Sequence, residues 1–128
     1  MNDRGSIAML VPALVTLVVV LLAFSVATGT VLGARAHAQA AADAAALAAA
    51  PVTFLPFGAT GTPTEEARRF AEFHGGRLIH CDCTVNPTFE ARTVTVEVSI
   101  EVAIPLIGVV QIPASARAQF APAELLRR

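Results

Sequence analysis

Two hydrophobic rhythms divide the chain. From Gly5 to Ala34 there is no charged side chain, and the stretch from Ile7 to Phe24 is almost wholly apolar. Its continuation to Ala34 adds only Ser and Thr as polar side chains. A helix needs about 20 apolar residues to cross roughly 30 Å of hydrocarbon. This run exceeds that, so it predicts a transmembrane helix that spans with tilt. So short a chain has too little else to wrap the run as a buried core helix. Pro12 removes a backbone donor and either kinks the first turns or marks the true start of the helix.

Past Arg35 the pattern becomes alanine after alanine, up to Pro51. Alanine has the best intrinsic helix propensity, so the spanning helix is expected to continue to about Ala49. Pro51 is expected to stop it, because the residue before a proline avoids the α region. The polar side chains of this extension are ordered. Arg35, Gln39 and Asp43 stand four apart and share one face, with Leu47 next in line. The rest of the surface is nearly all methyl groups, suited to tight packing against another helix or a sheet, or to a solvent-facing stalk. Within the span, Gly29 and Gly33 form a small-xxx-small pair that Ser25 extends backwards. That spacing lets two helix backbones approach closely in lipid.

After Pro51 the period changes. Residues 51–63 hold three prolines and two glycines and read as an apolar loop around Phe54, Leu55 and Phe57. Such a loop can cover a thin core, touch the membrane surface or meet a partner. Thr62 suits a helix N-cap and Pro63 the first helical position. Glu65 and Glu66 then meet the positive end of the dipole, and Gly75 is placed to end the helix. Strict alternation predicts three strands. In Arg77–Val85, Ile79, Cys81, Cys83 and Val85 oppose Leu78, His80, Asp82 and Thr84. In Arg92–Ile104, six aliphatics from Val94 to Ile104 oppose Thr93, Thr95, Glu97, Ser99 and Glu101. In Ala114–Phe120, Ala116, Ala118 and Phe120 oppose Ser115, Arg117 and Gln119. Residues 105–113 read as a second apolar connection, and the tail from Ala121 as loosely ordered. The predicted class is α+β, a long N-terminal transmembrane helix leading to one short helix and a three-stranded antiparallel sheet. The expected organisation is an anchor with its extension over 1–50, a small domain over 51–121 and a tail over 122–128.

Charge and composition sharpen this picture. The 128 residues carry a formal net charge of -1, and 55% are hydrophobic, with the excess in the first fifty. All nine basic residues are Arg. With no basic patch to neutralise phosphates, nucleic acid is not an expected partner. Trp and Tyr are absent, so any aromatic belt at the membrane interface falls to Phe. A cleaved signal peptide is the rival to an anchor. Ala36-His37-Ala38 ahead of Gln39 has the small-x-small form of a cleavage site. Signal h-regions, however, run about 7–15 residues, and this run is about twice as long. Either outcome places the C-terminal part outside the cytoplasm.

Chemistry-bearing residues are sparse. Cys81 and Cys83 are the only cysteines. Two apart on a strand they share a face, with Cα atoms near the upper limit for a disulfide, so a bridge requires the strand to buckle. Buried free thiols, a bridge between the two and an intermolecular bridge all remain open. His80 points away from both thiols in a strand, and two thiols do not make a zinc site. His74 reads as a partner for the helix dipole. Glu97 and Glu101 lie on the wet face with no partner base and read as solvated charges guarding the sheet. No nucleophile motif, phosphate loop or metal spacing is present. Neither an enzyme, a cofactor, a metal nor a small-molecule substrate is expected.

Arg4-Gly5-Ser6, the long apolar run, and then Arg35, Gln39, Asp43 and Leu47 set among alanines resemble the N-terminal signature of TadE/TadG-like proteins. These belong to the tight-adherence (Flp) pilus-assembly machinery. The likeness is nearest to short members found beside secretion genes in actinobacteria. It is specific over residues 4–50 and looser over 63–120. It implies a pilin-like layout, with a spanning helix that runs outward into a small extracytoplasmic domain. Prepilins are cleaved after a glycine and usually carry Glu at mature position five. Counted from Gly5, that position is Leu10, so an unprocessed anchor is expected rather than a major pilin. Family members often place a cysteine ahead of the short helix to pair with the following strand, and residues 60–64 here have none.

The expected function is that of a non-enzymatic, single-pass accessory of a Tad/Flp-type pilus or secretion apparatus. Its N-terminus would be cytoplasmic, and its helix would meet other small subunits through Ser25, Gly29 and Gly33 and through Arg35, Gln39 and Asp43. The alternative is a secreted or surface-tethered binding module that uses the loops around Phe54–Phe57 and Leu106–Val110.

Overall fold

The structure, a computed structural model, describes residues 4–54, 61–105 and 107–127. The expectations for Leu55, Phe57 and Leu106 lie outside the described residues.

One helix, α1, runs from Arg4 to Val52 without interruption. Four hydroxyls of its apolar half turn back onto their own helix. Thr16 Oγ1 donates to Pro12 O at 2.7 Å, Ser25 Oγ to Leu21 O at 2.9 Å and Thr30 Oγ1 to Ala27 O at 2.8 Å. Thr28 does the same with Phe24 O. None of these four hydroxyls is left to seek an outside partner, which is what a hydrocarbon surrounding demands. Pro12 is accommodated inside the helix, and Thr16 serves its carbonyl. The helix also passes the expected stop at Ala49 and takes Pro51 into its last turn. The end is closed by Thr53 N–H and Thr53 Oγ1, both donating to Ala50 O, and by Phe54 N–H donating to Pro51 O. These short-range bonds occupy the terminal carbonyls that would otherwise be orphaned.

In the alanine half, Ala38, Ala41, Ala42, Ala45, Ala46, Ala49 and Ala50 are buried. Their spacing of three and one repeats along a single helix face. A face made only of methyl groups lets a sheet and a second helix approach closely. The second helix, α2, spans Pro63–Phe73 and opens with a complete capping box between Thr62 and Glu65. It closes in a Schellman motif. Gly76 N–H donates to Ala71 O at 2.8 Å and Gly75 N–H to Glu72 O at 2.9 Å. Gly75 sits at φ +71, where a side chain is strained. His74 is the C-cap.

Three antiparallel strands follow, β1 (Arg77–Asp82), β2 (Arg92–Ile104) and β3 (Gly108–Phe120), in the order β1-β2-β3. Helix α1 packs over β2 and β3, and α2 packs beside it toward β1. Val94, Val96, Val98 and Ile100 of β2 meet Ile112, Ala116 and Ala118 of β3 and the alanine face of α1 in one core. The α+β class is as predicted.

Four details depart from the simple pattern. β1 ends at Asp82 rather than Val85, and its register slips between Leu78 and His80. The bulge inserts one residue and reverses parity, so Leu78 and Cys81 both turn to the core while Ile79 is exposed. β3 begins at Gly108, not Ala114, and pairs residue for residue with β2 from Ile104↔Gly108 to Arg92↔Phe120. Pro113 is tolerated inside it because β3 is an edge strand, where a missing N–H faces away from the ladder. The tail forms a single turn, α3 (Pro122–Leu125), with Pro122 buried.

Candidate functional site

The chemistry of this chain lies along the outside of α1. Every residue from Met9 to Val26 is exposed, and nothing among the described residues covers their Leu, Val, Met and Phe side chains. Leaving so much aliphatic surface in water is strongly unfavourable. The helix is long and apolar enough to cross a membrane.

Gly29 and Gly33 lie on an open face. A Cβ added at either would meet nothing within 4 Å. The backbone there is available to another helix, as the small-xxx-small spacing requires. Ser25 lies on the same stripe with its hydroxyl bonded inward. The polar stripe is divided between two uses. Gln39 Nε2 donates to Asp43 Oδ1 at 3.0 Å and to the carbonyl of Ser115 at 3.1 Å. Gln39 therefore ties the helix to β3. Arg35 and Asp43 remain exposed, and Arg35 makes no ion pair among the described residues.

The cysteines are joined. Cys81 and Cys83 form a disulfide with Cα atoms 5.3 Å apart, and both pack half-buried against the core. Strand pairing stops at Asp82, so Cys83 is free of the sheet geometry that would hold the two sulfurs apart. His80 is exposed, and His74 stacks edge-on against Phe73 at 5.5 Å. Among the described residues no group of three His, Cys, Asp or Glu converges as a metal site. Glu101 is used on the sheet surface, where Gln111 Nε2 donates to it at 3.2 Å and Arg77 lies 3.7 Å away. Glu97 is exposed on the same face of the sheet.

The apolar loop begins with a residue that turned out to be structural. Phe54 is 2% exposed and lies between Phe89 at 5.1 Å and Phe120 at 6.5 Å. The guanidinium of Arg92 sits 5.4 Å above its ring. Arg92 also donates to the carbonyls of Thr53, Asn86, Thr88 and Glu90. It binds the long β1–β2 connection to the end of α1. This clamp was missed in the sequence, where Arg92 read only as the start of a strand.

Residues 5–51 match the Tad family model, described as "Putative Flp pilus-assembly TadE/G-like". The matched segment is α1 almost from end to end. No curated protein and no solved structure matches the chain. A TadE/G-like segment that is also a helix able to span a bilayer supports a pilus-related membrane protein. Both glycines, the Arg35–Asp43 stripe and the buried alanine face lie within that TadE/G-like segment.

Proposed function

We propose that this protein is a non-enzymatic, single-pass accessory of a Tad/Flp-type pilus or secretion apparatus. Its N-terminus lies in the cytoplasm, and the domain after α1's apolar half lies outside. The anchor packs against other small membrane subunits through Ser25, Gly29 and Gly33, and Arg35 and Asp43 meet neighbouring chains above the membrane. The observation that carries this reading is the TadE/G-like match over residues 5–51, which falls on a helix whose glycine face is open. The alanine half of that helix also forms a wall of the domain's core. A force on the anchor therefore reaches the sheet directly.

The test is purification of the full chain from membranes of its own cell in mild detergent. Other small membrane subunits should accompany it, and Gly29→Leu or Gly33→Leu should strip them away while the protein stays folded and membrane-bound. Retention of those subunits by both variants overturns the packing role. N-terminal sequencing of the same material separates the fates of the anchor. A start at Met1 or Asn2 means an uncut anchor, and Ser6 means prepilin-type processing. A start at Gln39 overturns the anchor in favour of a released binding module.

A further inference from the structure

The β2–β3 hairpin carries aliphatic side chains at its tip that the core does not use. Ile107 is 71% exposed and Val109 70%. The position of this tip gives them a destination. Ile104, Ile107, Val110 and Ile112 line one wall of a groove whose opposite wall is Val31 and Arg35 of α1. The hairpin thus reaches down beside the last turns of the apolar run.

Element lengths agree. Gly76, Ala41 and Val98 meet in one layer, since a Cβ on Gly76 would lie 3.5 Å from that of Ala41 and 2.5 Å from Val98 Cγ1. From Val98 to Ile104 the strand advances about 20 Å. From Ala41 back to Val31 the helix descends about 15 Å. The tip is therefore at least as low as Val31. The uncharged run Gly5–Ala34 is about 45 Å long as a helix, against roughly 30 Å of hydrocarbon and 40–45 Å with both headgroup layers. Its last turns occupy the outer headgroup layer, and the tip lies at their height.

We propose that the β2–β3 hairpin tip inserts Ile107 and Val109 into the headgroup–acyl boundary of the membrane that α1 crosses. This rests on the spanning role given to α1 above. The occupant of the exposed tip is phospholipid, because the apolar surface of the tip continues the apolar surface of the helix end. The domain then holds the membrane at two points and keeps a fixed tilt over it.

The absence of Trp and Tyr makes the test clean, since a single introduced Trp reports only its own surroundings. The full chain is reconstituted in vesicles of phosphatidylcholine and phosphatidylglycerol, with or without phosphatidylcholine brominated on its acyl chains. Four single-Trp variants are compared. These are Ile107→Trp and Val109→Trp at the tip, Leu22→Trp in the span, and Leu126→Trp at the opposite end of the sheet, 74% exposed. The tip variants should emit further to the blue than Leu126→Trp and be quenched several-fold more strongly by the brominated lipid. If Leu22→Trp is quenched and the tip variants behave like Leu126→Trp, the tip does not enter lipid and the proposal fails. A blue shift at the tip without quenching means that protein covers it, and also overturns the proposal. If Leu22→Trp is itself unquenched, the spanning role of α1 fails first.

Discussion

Gly76 and Val98 stand so close that a methyl group on Gly76 would lie 2.5 Å from Val98 Cγ1. The same methyl would lie 3.3 Å from Ala71 O and 3.5 Å from the Cβ of Ala41. This is the layer where α2 ends, β1 begins and α1 passes beneath them, and only hydrogen fits. Gly76→Ala should cost about 1–3 kcal/mol through overpacking. Gly75→Ala should cost about 1–2 kcal/mol for a different reason, the positive φ. Urea melts of the detergent-solubilised protein, followed by far-UV circular dichroism, measure both. A Gly76→Ala protein as stable as the parent would mean that α2 and β2 are further apart than described.

The alanine repeat of α1 makes a face-specific prediction. Ala45 is fully buried, while Ala40 is exposed on the same helix. Leucine at Ala45 forces apart elements spaced for methyl groups and should cost about 1–3 kcal/mol or more. Leucine at Ala40 should stay within about 0.5 kcal/mol of the parent. Equal effects at the two positions would mean that the alanine half is a free stalk rather than a wall of the core.

Which features the sequence disclosed follows from how local their causes are. Helix α1 was legible because uncharged length and alanine propensity act residue by residue. The N-cap at Thr62 was legible for the same reason, whereas the reciprocal bond that makes Glu65 part of a capping box was not read. β2 was legible because one face is buried along its whole length. β3 carries the same alternation, with Val110, Ile112, Ala114, Ala116, Ala118 and Phe120 turned inward, but Pro113 hid its first half. A proline is tolerated there only because the strand is an edge, and edge position depends on topology. The bulge after Leu78 and the Cys81–Cys83 bridge are likewise tertiary compromises at the end of β1. The Arg92 clamp depends on carbonyls brought together by a loop with no period of its own. At the candidate site, spacing alone singled out Gly29, Gly33 and Arg35. That Gln39 serves β3 through Ser115 O depends on where the sheet lands.

Arg92 supplies a third prediction. Its guanidinium gathers four carbonyls from two segments, the end of α1 and the β1–β2 connection, and covers the Phe54 ring. Removing it leaves partly buried acceptors unpaired, at about 1–3 kcal/mol. Arg92→Ala should lower the unfolding midpoint and open residues 83–91 to limited proteolysis. Arg92→Lys should rescue little, because an ammonium lacks the planar fork of donors. Full rescue by lysine would reduce the clamp to a simple positive charge.

The capping box has a pH signature. The Glu65 carboxyl is held below its usual range, first by the backbone N–H of Thr62, then by the Thr62 side chain and by Arg68. A carboxyl that is more acidic in the folded state stabilises the fold above the ordinary Glu range. That contribution disappears as pH falls through its lowered native value. The stability difference between the parent and Glu65→Gln should therefore be present at neutral pH and vanish on acidification. Thr62→Ala, which removes the other half of the box, should cost about 1 kcal/mol. A difference that grows toward acid would reverse the sign and discard the assignment.

The bridge between Cys81 and Cys83 is a test of compartment as well as of structure. Its Cα separation of 5.3 Å is within the range of ordinary disulfides, and β1 stops between the two residues. Such a bridge forms and persists only where the surroundings are oxidising. Protein taken from its native membrane and denatured with alkylating reagent should label at neither cysteine unless reductant is added first. The same chain trapped in the cytoplasm should label at both. Because the closed loop is so short, little chain entropy is withheld from the unfolded state, and replacing both cysteines by serine should cost only about 1–2 kcal/mol. Replacing Cys81 alone leaves the Cys83 thiol unpaired and should yield disulfide-linked dimers. Free thiols in the native membrane preparation would contradict both the intramolecular bridge and the placement of this domain outside the cytoplasm.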